Sequence, residues 1–132
     1  MSKIDYNGSM DKAKKEFEFL INDYQYKLTE CESSNDGFIL VYKKNERRVR
    51  FYYDYKENTF YFRLINGSNT KFPNDDDLLN IKLFFELFKK YDPLLDSNFF
   101  EPTKEGYEGA LHRNAEYLKK YGDKVLKGIE WI

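Results

Sequence analysis

Cysteine is all but missing from this chain of 132 residues: Cys31 stands alone, which excludes an intramolecular disulfide framework and a Cys-rich zinc site. Histidine is as scarce, with His112 only, so a cysteine–histidine dyad could only be Cys31 with His112, and no motif such as CGSCW frames the cysteine. Net charge is missing too. The 22 basic and 23 acidic side chains leave −1, with a pI of about 5.9. That is neither the footprint of a protein that grips phosphate backbones generally nor that of a strongly acidic nucleic-acid mimic.

No apolar run approaches the ~18 residues of a membrane span, and the opening MSKIDYNGSMDKAKKEFEFLIND lacks the uninterrupted apolar stretch of a signal peptide. A soluble protein of the reducing cytoplasm is expected, neither secreted by the general route nor membrane-inserted. Linkers, internal repeats and low-complexity segments are also lacking, so residues 1–132 read as a single domain, long enough to bury a core without disulfides or metal.

What the chain does have is rings. Tyr and Phe number 12 each, accompanied by many Lys and Asn, a mixture that AT-rich codon usage alone produces. The excess therefore carries little weight for binding until the rings are placed.

Periodicity places them in an α+β fold: an N-terminal helix, a four-stranded antiparallel meander, then two or three C-terminal helices. Met10, Ala13, Phe17, Leu20, Ile21 and Tyr24 share one side of a helix capped by Ser9, and Phe19 falls on the opposite, exposed side. Strand patterns occupy Gln25 to Cys31, Phe38 to Lys43, Arg47 to Tyr55 and Thr59 to Ile65, separated by turn signals.

If Tyr55 faces Phe60 across a loop of Lys56 to Thr59, Tyr53 meets Phe62 and Phe51 meets Leu64. A tight turn at Lys44 and Asn45 likewise pairs Leu40 with Val49 and Phe38 with Phe51. The apolar face is the core face. A one-residue slip would mix charge into both faces. Arg50, Tyr52, Asp54, Tyr61, Arg63 and Ile65 are left on the other face.

A second helix is expected to begin at FPNDDDLL, capped by Asn74, with Asp75, Asp76 and Asp77 in its first turn. Consecutive carboxylates point in different directions, so no metal site is read there. Leu78, Ile81, Leu83, Phe84, Phe85, Leu87 and Phe88 would wrap this helix in apolar surface and bury it on two sides. DPLLDSNFFEPTKE reads as an irregular loop. A third helix spans about Tyr107 to Tyr121, with Asn114 in its apolar stripe as a bracket to loop or strand backbone, and His112 facing away from the core. The final GDKVLKGIEWI reads as a short helical turn whose Ile129, Trp131 and Ile132 dock back on the core.

No GxSxG, HExxH or GxxxxGK occurs, and no catalytic residue, cofactor or metal is expected. Charge is uneven, with seven basic and three acidic residues from Lys43 to Arg63, against four and nine from Pro73 to Ala110. Single-stranded nucleic acid could use Arg50, Tyr52, Tyr61 and Arg63 as a stacking platform, but Asp54 interrupts it and the element order is not βαββαβ. Tyr with Arg is also what protein interfaces favour.

YEGALHRNAEYLKKYGDKVLKGIEWI, residues 107 to 132, together with FEFLINDYQYKL and the meander, resembles small bacterial proteins ending in N-A-x-x-L-K-x-Y and I/V-L-x-G. These are similar to the immunity partners of polymorphic or contact-dependent toxins. The resemblance implies a non-catalytic cytoplasmic protein that binds a cognate toxin domain and occludes it. The matching Asn114, Ala115, Leu118, Leu126 and Gly128 would be structural, and the partner-binding residues expected from the sheet are Arg50, Tyr52, Asp54, Tyr61 and Arg63. The competing reading is a small-molecule-binding or enzymatic domain with an enclosed pocket around His112, Cys31 or a carboxylate pair.

Overall fold

The computed structural model describes residues 6–67 and 79–132. Helix α1 (Tyr6–Glu16) and the single turn α2 (Phe19–Asn22) lead into five strands: β1 (Lys27–Ser34), β2 (Gly37–Lys44), β3 (Arg47–Asp54), β4 (Thr59–Asn66) and β5 (Ile81–Leu83). They form one antiparallel sheet in sequence order. Helices α3 (Phe84–Tyr91), α4 (Pro102–Glu105), α5 (Tyr107–Tyr121) and α6 (Asp123–Leu126) follow, with a 3₁₀ turn, Ser97–Phe100, before α4.

The α+β class and the meander are as expected, with a fifth strand added. Ile81 and Leu83, assigned above to the second helix, lie in β5 and pair with Ile65 and Arg63 of β4. The helix starts only at Phe84, where the Glu86 carboxylate accepts the Leu83 backbone N–H at 2.7 Å. The expected cap Asn74, Asp75 to Asp77 and Leu78 lie outside the described residues.

Both hairpin registers differ from expectation by two residues. Tyr53 pairs with Phe60, Phe51 with Phe62 and Val49 with Leu64; Leu40 pairs with Phe51 and Phe38 with Tyr53. A two-residue shift leaves every side chain on its predicted face, because the strand period is two. The turns decide the register. Asn45 and Asn58 each adopt φ near 50°, a conformation Asn tolerates better than most residues, and they fix the turns at Asn45–Glu46 and Tyr55–Asn58.

The inner sheet face is a continuous ring cluster. Phe51 lies 4.2 Å from Phe17 of the α1–α2 junction, 4.9 Å from Phe62 and 5.5 Å from Phe84 of α3, centroid to centroid. The pairs of Phe51 with Phe62 and Phe84 are edge-to-face, a geometry that adds roughly 0.5–1.5 kcal/mol each beyond burial. Helices α1, α3 and α5 therefore share one layer against this face, with α5 contacting both of the others.

The N-terminal helix departs from expectation at residues 17 and 18, where it breaks between α1 and α2. Ser9 lies within α1 and does not cap it. The break turns Phe19 inward, to 7% exposure, and turns Ile21 outward, to 41%. Phe19 packs edge-on to Tyr24 at 6.2 Å.

The segment read as an irregular loop contains ordered helical turns that seat Phe100 against Phe88 at 5.0 Å. Asn114, 3% exposed, donates from Nδ2 to the carbonyls of Phe100 at 3.2 Å and Ala110 at 2.9 Å, bracketing that segment to α5. At the C-terminus, Trp131 and Ile132 pack on the core, but Ile129 is largely exposed. Arg47 holds this tail. Its Nε donates to the Val125 carbonyl at 3.0 Å and its Nη2 to Glu130 O at 2.8 Å, with the guanidinium 4.8 Å from the Trp131 ring centroid.

Candidate functional site

The outer sheet face is built by the same alternation that builds the core. Arg50 of β3 pairs with Arg63 of β4, Tyr52 with Tyr61, and Asp54 with Thr59, so all five candidate residues share that face. The Tyr52 and Tyr61 rings meet edge-on at 5.8 Å, and among the described residues they have ring contacts only with each other. Each arginine lies near the ring of its own strand: Arg50 Cζ is 5.7 Å from the Tyr52 centroid and Arg63 Cζ 5.6 Å from that of Tyr61. All four side chains are half-buried.

Electrostatics divides the five. Partial burial lowers the Arg50 pKa, and the like charge of Arg63 lowers it further, as expected of two cations set directly across a ladder. Tyr61 Oη donates to Glu57 at 2.7 Å, the main reason its pKa is raised. Asp54 accepts the Glu57 backbone N–H at 3.2 Å and is thereby tied to the β3–β4 turn. The patch centre is two rings and two cations, with Asp54 at its end.

Sequence reasoning missed the rest of this face. The β1–β2 register shifts between Leu28 and Glu30, a bulge that brings Glu30 and Glu32 onto the outer side, in line with Val41 and Ile39. Val41 is buried and Ile39 partly so. Ile65, expected beside the patch, is buried as well. The alternation of β2 and β3 could have flagged Ile39 and Val41; the bulge left no mark in composition.

The second candidate region is a groove of about 580 Å³ between α1 and α5, lined by Lys12, Lys15, Glu16, Glu108, Gly109 and His112 among others. His112 sits between two carboxylates, with Nδ1 3.2 Å from Glu16 Oε2 and Nε2 3.0 Å from Glu116 Oε1. These contacts raise its pKa, Glu16 contributing most. Lys12 pairs with Glu108 across the groove. Cys31, expected at a strand end, lies within β1 and faces α1, where its Sγ is 3.8 Å from Met10 Sδ. Cys31 of β1 and His112 of α5 thus engage different residues, Met10 for the one and Glu16 and Glu116 for the other.

Among the described residues no group of His, Cys, Asp and Glu is disposed to hold a metal ion, and no helix is long and apolar enough to cross a membrane. No protein-family model matches the chain, and neither a curated protein nor a solved structure matches it.

Proposed function

We propose that this chain is a non-catalytic protein-binding domain of the cytoplasm, an immunity-type inhibitor that occludes a cognate bacterial toxin through its outer sheet face. One observation carries the reading. Two tyrosines and two arginines are set as adjacent cross-strand pairs on a rigid sheet, on the side away from the helical layer. Tyr and Arg are the residues from which binding hot spots are most often made, since each couples large contact area to directed hydrogen bonds. A sheet holds them with little ordering cost on binding.

Co-expression of the chain with the product of its neighbouring open reading frame, scored for growth rescue, tests this. Arg50→Glu with Arg63→Glu should abolish rescue and weaken the complex by about 2 kcal/mol or more. The single change Arg50→Glu places opposite charges across the ladder, so thermal unfolding should stay near that of the wild type. Undiminished rescue by the double variant would remove the sheet face.

A small-molecule-binding or enzymatic reading is favoured by the groove that contains His112 and Glu16, whose volume suits a small ligand. A ligand-induced thermal shift lost in His112→Ala would support it.

A further inference from the structure

A different surface lies where the C-terminal ends of α3 and α5 come together. The Tyr91 and Tyr121 rings stack there at 5.2 Å with planes 4° apart, and Tyr91 remains 44% exposed. Two lysines flank them without a carboxylate partner in any ion pair among the described residues, each over a ring instead. Lys90 Nζ is 5.6 Å from the Tyr91 centroid and Lys120 Nζ 5.1 Å from that of Tyr121. The salt bridges among the described residues involve other cations.

The protein seats one carboxylate of its own here. Glu130, from the C-terminal tail, accepts the Tyr91 hydroxyl at 2.7 Å. Lys90 and Lys124 lie close enough to assist in holding it ionised. The Tyr121 hydroxyl has no protein partner among the described residues, so the same tyrosine-plus-lysine chemistry is repeated beside Glu130 without an acid.

From this we infer a second docking surface, formed by Lys90, Lys120 and Tyr121, that takes the carboxylates of an acidic protein segment. The occupant is argued from charge complementarity and from Glu130, which shows the group that this chemistry accepts. Nucleic acid fits less well. The stacked rings already cover one face of each other and lysines lie over others, which leaves little for bases to stack on. The surface uses none of the sheet-face residues, so it stands or falls independently of the proposal above.

The test is fluorescence anisotropy with a labelled oligo-glutamate peptide at low salt, with oligothymidylate and phosphatidylserine vesicles as parallel probes. Lys90→Glu with Lys120→Glu should weaken peptide binding about tenfold or more. Lys27→Glu with Lys104→Glu makes the same change in net charge on exposed sites elsewhere and should have little effect. Lys90→Gln with Lys120→Gln should fall between. Circular dichroism melts establish that each variant folds. Equal losses in the two charge-reversed pairs, or no binding of the peptide by the wild type, would overturn the inference. So would tighter binding of oligothymidylate or of vesicles at the same lysines, which would assign the surface to nucleic acid or membrane.

Discussion

Gly37 opens β2 at φ +151°, and a Cβ added there would stand 1.7 Å from the carbonyl oxygen of Tyr53. That neighbour is backbone in a paired strand and has no rotamer through which to yield. Gly37→Ala should therefore cost about 3 kcal/mol or more in urea unfolding; a loss below about 1 kcal/mol would mean that the hairpins can part without penalty. Nothing in the sequence marks this glycine beyond its turn, since the clash is with a residue sixteen positions away. Asn114 was legible, because an amide on an apolar stripe must be satisfied. Arg47 was not. Its carbonyl partners are 78 and 83 residues distant, and a guanidinium that clasps a tail looks no different in sequence from one facing water.

Among the elements, α1 and α5 are joined at the groove by titratable contacts. His112 of α5 reaches Glu16 of α1 as well as Glu116 of its own helix, and Lys12 and Lys15 face the same groove. The folded-state pKa of His112 lies above its ordinary value of 6.5. Its contribution to stability is thus complete below that value and is lost as pH rises through the folded pKa. Wild-type Tm should carry a decline of about 1–3 °C as pH is raised above the ordinary histidine value, the scale of an exposed pair, and His112→Gln should lack it. Identical profiles would show that the contact contributes no stability. The strands teach a related lesson about legibility: alternation identifies a face but cannot distinguish registers two residues apart, and the asparagines at positive φ supplied that missing information. Helix α3 was overextended for a physical reason. Ile81 and Leu83 suit a helix by hydrophobic spacing, but β4 offers an unpaired edge whose hydrogen bonds they complete.

For the molecule as a whole, one layer of helices covers one face of the sheet, and the strands are unequal in depth. Strands β2 and β3 have neighbours on both sides and bury Phe38, Leu40, Tyr42, Val49 and Phe51 to 1% exposure or less. Most of β1 is exposed. Native-state hydrogen exchange should show the slowest amides in β2 and β3 and markedly faster ones in β1, because opening an outer strand disrupts less burial; equal protection across the sheet would mean that it opens only by global unfolding. The core's location was legible at this scale, since its rings recur at strand and helix spacing, whereas the outer face depended on a bulge that redirects Glu30 and Glu32. That bulge has a colloidal consequence. A bare sheet edge is a template on which identical chains polymerise, yet the kink at Thr29 interrupts the line that a neighbouring copy would need. A symmetric antiparallel approach centred on Cys31 would also set Glu30 of each copy opposite Glu32 of the other. A strand that contributes little to the core is thus one that opposes fibre growth.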